Sequence, residues 1–185
     1  SFTLEGEALV DFGYRAIHEM TVAAKSIVEA GYSQGSQFSY FSGCSTGGRQ
    51  ALTAAQRYPG DFDAIIAGAA ANNTVRITTQ QLWTGRAVVD EPGAAMTEEH
   101  FASVHRSVLA SCDGNDGVVD GVLENPIACT FDPGSVNSLT NVQVNAVRSV
   151  YQGAVNAASG EAIYPGLARG SELGWTAMAG GDPFA

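Results

Sequence analysis

Positive charge is scarce in this chain. Its 185 residues hold 9 Lys and Arg against 19 Asp and Glu, a formal net charge of -10. A surface so short of cations has little with which to neutralise phosphates, and anionic bilayers repel it. Nucleic acid and membrane surfaces are therefore set aside as partners, and a neutral or small organic ligand suits the chain better. Long apolar runs are missing as well. The longest, Ala64 to Ala71, falls far short of the roughly 20 residues that a spanning helix needs. Ser1 to Glu7 has neither a basic n-region nor an apolar h-region, so a targeting signal, if one exists, is expected upstream. Cysteine and histidine number 3 each. Cys112 and Cys129 have no further Cys or His at the spacing that a zinc site requires.

What the sequence does have is 45% hydrophobic residues, enough to bury a core, and one stretch that carries chemistry. Tyr40-Phe41-Ser42-Gly43-Cys44-Ser45-Thr46-Gly47-Gly48-Arg49 reads as a strand end turning through a glycine-rich corner into a helix. Gly43 to Gly47 spells G-x-S-x-G, the frame of a nucleophile elbow, with glycines where side chains would collide across the turn. Ser45 is the expected nucleophile. At the start of a helix, free N–H groups and the dipole favour an oxyanion, and Thr46 N–H is the natural first donor. The bare pattern occurs often by chance, as a glycine-rich turn with a surface serine, so context decides. Here Gln37 to Ser42 has the length of a strand, and Gly48 to Tyr58 is helix-compatible until Pro59-Gly60 stops it. Phe62 to Gly68 is then a nearly continuous apolar run, the look of a strand buried on both faces in a parallel sheet. Cys44 fails as a nucleophile because Ser42 and Thr46 stand where its frame would need glycine.

Before the elbow, Val10, Tyr14, Ile17, Thr21, Ala24 and Val28 recur at steps of three and four, predicting an amphipathic helix over Gly6 to Ala30 with Gly31 as its C-cap. His18 on that helix reads as a satisfied or surface histidine, since a triad histidine follows its nucleophile in this fold. After Asn73 the strand and helix alternation ends. Helices are expected over Gln80 to Val89, over Thr97 to Ser111 with Thr97 as N-cap and His100 at N3, and over Thr140 to Tyr151. His100 and His105 share a helix with the apolar face Phe101, Val104, Val108 and Leu109, a poor place for a triad base. Gly153 to Ala185 carries no assignable pattern. The expected organisation is an α/β-hydrolase core portion over residues 1–71 and a mostly helical, irregular second region over 72–185. Only one helix and one strand precede Ser45, and the earlier loop that would give a second oxyanion donor is absent. The chain is accordingly expected to be a fragment of a larger hydrolase.

A second constellation is Cys112-Asp113-Gly114-Asn115-Asp116-Gly117-Val118-Val119-Asp120-Gly121-Val122. Carboxylates on a glycine-bent loop are what Ca2+ needs, although Val118 occupies the glycine position of an EF-hand counted from Asp113. A solvated acidic turn is the competing reading. Cys112 and Cys129 favour the ion, because they can close a loop around the aspartates, worth on the order of 3 kcal/mol. A disulfide with calcium points to an oxidising, secreted or periplasmic setting. The Asn72-Asn73-Thr74 sequon agrees with it.

With YFSGCSTGGRQAL, AAQRYPGDFDAIIAGAAANN and CDGNDGVVDG in place, the chain resembles the tannase and feruloyl esterase family over at least residues 8–133. That resemblance implies an α/β-hydrolase core with a lid carrying structural Ca2+, and hydrolysis of esters of hydroxylated aromatic acids, feruloyl or galloyl. It makes Ser45 the nucleophile and puts the triad Asp and His beyond Ala185. It implies calcium ligands from the Asp113, Asp116 and Asp120 side chains and the Val118 and Val122 carbonyls. It also implies a bond from Cys44 to a cysteine outside the chain. Ala70 departs from the family's GAPA stretch, where proline is expected. The resulting expectation is a serine carboxylic-ester hydrolase acting on a small aromatic ester, this chain alone being inactive. The alternative is a non-catalytic, calcium-stabilised binding module that retains the scaffold. Oligomeric state is not legible.

Overall fold

Residues 5–179 are described in this computed structural model. Helical backbone opens it: α1 (Gly6–Val10), a π-helical stretch (Asp11–Arg15) and α2 (Ala16–Tyr32) run end to end. Hydrophobic periodicity anticipates the helix but not the widened turn within it. That turn is where Arg49 reaches over, its Nη1 and Nη2 donating to the carbonyls of Gly13 and Phe12 at 3.3 Å each. The expected cap at Gly31 is corrected. Helical geometry continues through it, and Ser33 leaves the helix in the left-handed region at φ 56°. A glycine inside a helix costs about 1 kcal/mol of propensity but does not by itself end it. Of the expected stripe only Thr21 is buried; Val10, Tyr14, Ile17 and Val28 are half-covered and Ala24 is exposed.

Next come β1 (Tyr40–Cys44), α3 (Thr46–Arg57) and β2 (Ala64–Gly68), a β-α-β unit. The strands pair in parallel, from Tyr40 opposite Ala64 to Cys44 opposite Gly68, as parallel strands must when a helix makes the crossover. Ala51 and Ala54, both buried, lie on α3, which packs against both strands. The expectation that β2 is covered on both faces is not met, since Ile66 is 67% exposed. Two strands and one crossover helix cannot roof both faces of a parallel sheet.

The chain divides into two compact units, one ending at Thr74 and the other beginning at Val75. Helices α4 (Thr74–Val89), α5 (Glu98–Cys112), α6 (Asn141–Gln152) and α7 (Thr176–Ala179) account for most regular structure from there on. Threonine caps set two of them. Thr97 and His100 form a reciprocal box at the start of α5, and Thr140 and Gln143 one at the start of α6. Phe101, Val104, Val108, Val147, Val150 and Trp175 form one apolar cluster, with Trp175 edge-on to Phe101 at 5.9 Å and to Tyr151 at 5.1 Å. The segment without sequence pattern is held by Glu172. This carboxylate is fully buried and accepts from Tyr151 Oη at 2.7 Å and the Gly170 N–H at 2.7 Å, with His105 Nδ1 at 2.8 Å. Among the described residues no helix is long and apolar enough to cross a membrane. Residues 180–185, the end of the unassigned stretch, lie outside those described.

Candidate active site

The end of β1 delivers Ser45 at φ 58°, ψ -115°, a left-handed backbone that a residue with a side chain adopts only under constraint. The constraint is visible in hydrogen bonds. Ser45 N–H donates to Gly68 O at 3.1 Å, and Ser45 O accepts from Arg49 N–H and Ala71 N–H, each at 3.1 Å. The corner is thus pinned to the residues just after β2, where Ala69 is itself left-handed at φ 39°. Ser45 and Thr46 are exposed, the serine hydroxyl caps nothing, and neither it nor Thr46 N–H has a hydrogen-bond partner among the described residues. A hydroxyl held forward beside an unspent N–H is a local arrangement that acyl transfer can use.

The glycines divide their work differently from the motif's symmetry. A Cβ on Gly43 would land on the Gly47 backbone, 2.9 Å from its Cα and nearer still to its carbonyl. One on Gly47 would meet nothing within 4 Å. The second tight contact belongs to Gly48, whose Cβ would lie 2.8 Å from Ala70 Cα and on the carbonyl of Gly68. Gly48 escaped the sequence reading because it falls outside the five-residue frame. Ala70, the departure from GAPA, sits where that close approach happens.

All three histidines are committed elsewhere. His18 Nδ1 is 2.8 Å from Asp61 Oδ2, and its ring stacks on Tyr58 with centroids 4.0 Å apart. His100 closes the α5 cap, with Thr97 N–H donating to its Nδ1 at 3.0 Å, and His105 is engaged with Glu172. Cys44 is a free, exposed thiol. Cys112 and Cys129 are bonded to each other, with Cα atoms 5.5 Å apart.

Inside that disulfide loop the aspartates turn to their own backbone. Asp113 is buried, and both its oxygens accept from Gly121 N–H at 3.1 Å. Asp116 Oδ1 accepts from Val118 N–H at 2.8 Å and Asp120 Oδ1 from Val122 N–H at 3.0 Å. All-oxygen donors of this kind suit a hard cation. Their side chains do not gather, however: among the described residues no three His, Cys, Asp or Glu converge as a metal group. A cavity of about 260 Å³ beside Cys112 is lined by Asn115, Asp116, Glu124 and Asn125. Glu124 stands outside the expected ligand set, although counted from Asp113 it is the twelfth residue, the place where a calcium loop of the EF-hand kind carries its glutamate.

The family model for tannase and feruloyl esterase matches residues 1–182. The "Probable feruloyl esterase B-1" of Aspergillus fumigatus is 39% identical over 181 residues, covering 90% of this chain and 34% of its own. Its counterpart in Aspergillus oryzae is 35% identical over 201 residues, covering 100% and 36%. The crystal structure of feruloyl esterase B from Aspergillus oryzae superposes with a TM-score of 0.80 at 34% identity, over 100% of this chain and 39% of that one. The chain spans about a third of the length of the curated relatives it matches.

Proposed function

We propose, for a chain that belongs to the tannase and feruloyl esterase family, that it carries the nucleophile of a serine carboxylic-ester hydrolase acting on esters of hydroxylated aromatic acids. The observation that carries this reading is Ser45, exposed on a left-handed corner with Thr46 N–H unspent beside it. In the proposed reaction Ser45 Oγ attacks the ester carbonyl while a histidine takes its proton, and Thr46 N–H receives the developing oxyanion. The alcohol leaves with that proton. Water activated by the same histidine then attacks the acyl-enzyme and releases the aromatic acid. Among the described residues no histidine is hydrogen-bonded to Ser45 Oγ, and the triad histidine and its aspartate are assigned, on the family resemblance, to sequence outside these 185 residues. The names of the relatives favour hydroxycinnamate over gallate as the acid.

Residues 1–71 are read as part of the catalytic core and 72–185 as part of its lid. The 112–129 loop is read as a structural Ca2+ site, held by Asp113, Asp116, Asp120 and the carbonyls of Val118 and Val122. The disulfide supports a secreted or periplasmic location. Cys44, free here, is assigned a partner cysteine outside these residues. A serine-directed fluorophosphonate applied to the protein containing this chain is the direct test, with the labelled peptide found by mass spectrometry. Label on Ser45 is expected. Labelling elsewhere, with ester hydrolysis intact after Ser45→Ala, would overturn the proposal; no label and no hydrolysis would leave the binding-module alternative standing.

A further inference from the structure

Helix α3 carries a cation where one is out of place. Arg49 lies in its first turn, which holds no acidic residue, and the positive end of the helix dipole disfavours a second positive charge there. Among the described residues no carboxylate pairs with Arg49. Its charge is spent on another element. Nη1 and Nη2 donate to the carbonyls of Gly13 and Phe12 within the π-helical stretch, and the guanidinium lies 4.9 Å from the centroid of the Phe12 ring. A carbonyl oxygen has two lone pairs, so it can accept such a bond beside a helical one. A guanidinium offers two donors and a flat face together, which an ammonium does not.

The same helix contains a natural control. Arg57, in the last turn of α3, lies 4.2 Å from the centroid of Tyr14, on the same helical run as Phe12. That contact is the closer of the two, and a cation at this end agrees with the dipole. Among the described residues the Arg57 side chain makes no hydrogen bond. The two arginines thus seat opposite ends of α3 on neighbouring rings, and one of them is tied to the Ser45 corner. The Arg49 N–H makes the first helical bond of α3, to Ser45 O at 3.1 Å. Arg49 therefore holds the Ser45 carbonyl with its backbone and the widened turn with its side chain. Widened turns of this kind are frequent at functional sites.

We infer that Arg49 is a positioning residue for Ser45, clamping the start of α3 to the π turn so that the corner keeps one orientation. The inference rests on the proposed role of Ser45 as nucleophile. In the protein containing this chain, Arg49→Ala should lower kcat for a chromogenic ester by about ten- to a hundredfold, since small misplacements of a reacting group carry losses of that size. KM should change little, because the clamp acts on the attacking atom and not on the bound ester. Arg57→Ala should lower the melting temperature and leave kcat unchanged. Arg49→Lys keeps the charge, so it serves where Arg49→Ala does not fold, and it should still lose kcat for want of the planar fork. The rate at which a fluorophosphonate labels Ser45 should fall in step with kcat in both Arg49 variants. A wild-type label on a residue other than Ser45 would remove the reading of Ser45, and this inference with it. A wild-type label on Ser45, with both Arg49 variants labelled as fast, would overturn the Arg49 inference alone. So would equal losses of kcat in Arg49→Ala and Arg57→Ala, since both arginines would then act through stability.

Discussion

The two units differ in what they keep dry. From Val75 onward, aromatic and β-branched side chains of several helices close one apolar cluster around Trp175, with Phe101, Val104, Val108 and Val147 almost completely hidden. In the unit up to Thr74 the hidden apolar residues are small, Ala51 and Ala54, while Phe38, Tyr40, Ile66 and Ile27 are exposed. The second unit is stabilised by its own side chains. The first holds the Ser45 corner through backbone hydrogen bonds and glycine contacts, with several of its larger apolar groups exposed. Precision at Ser45 and burial of a core are therefore supplied by different means in one chain.

The comparison can be broken most decisively at the corner itself. Ser45→Ala in the protein containing this chain should lower ester hydrolysis by on the order of 10^6-fold, the scale seen when a triad nucleophile is removed, with circular dichroism unchanged. Gly43→Ala should also abolish activity, because its Cβ falls on the Gly47 backbone. Gly47→Ala should fold normally and can gain up to ~1 kcal/mol of helix propensity. If Gly47→Ala were the damaging variant and Gly43→Ala harmless, the steric account of the corner would be wrong.

Next in size is the core. Phe101→Ala should destabilise the second unit by about 3–5 kcal/mol in urea unfolding. Ile66→Ala in the 185-residue chain should cost less than ~1 kcal/mol, since little apolar area is lost from an exposed site. In a longer protein that covers the sheet, the Ile66 effect should rise toward the Phe101 value. An Ile66 effect as large as that of Phe101 in this chain alone would erase the distinction between the units.

A smaller effect is expected from the disulfide loop. Chelation should lower the melting temperature of the protein containing this chain, an ion at one hundred times its dissociation constant contributing about 2.7 kcal/mol. Asp116→Ala should remove that response. A melting curve indifferent to chelator would favour the solvated acidic turn.

The smallest effect concerns Asp132, whose carboxyl is held below its ordinary value by Arg148. A depressed folded pKa contributes stability above the unfolded value, about 3.9. That contribution is lost as pH falls through the depressed folded value. Asp132→Asn should therefore narrow the stability difference between neutral pH and about pH 3. Being exposed, the pair should shift it only slightly, and a large shift would mean the pair is more shielded than its geometry indicates.

What the sequence reveals and conceals follows the range of the interactions. The elbow is legible because its frame, strand and helix lie within a few residues of Ser45, and the cap at Thr97 is legible because it stands directly before the helix it opens, whereas Thr140 proves to be a cap and not the first helical residue. The π turn at Asp11–Arg15 is not, since it involves Arg49, far along the chain. Glu172 is not, because its partners His105 and Tyr151 come from two other helices. Cys112 and Cys129 bond as spacing suggests. The aspartates between them give their composition away but not their directions, which depend on single backbone amides.

The parallel pair β1 and β2 has a consequence for handling the chain. It is a sheet of two strands, so each strand has one edge with no strand beside it among the described residues. Unpaired edges bearing exposed apolar side chains are templates for another strand. The 185-residue chain produced by itself should consequently show concentration-dependent turbidity and a rise in thioflavin fluorescence that a Lys placed at Tyr40 or Ile66 suppresses. Colloidal behaviour, read from a dilution series, would thus report whether the sheet that carries Ser45 has found a neighbour.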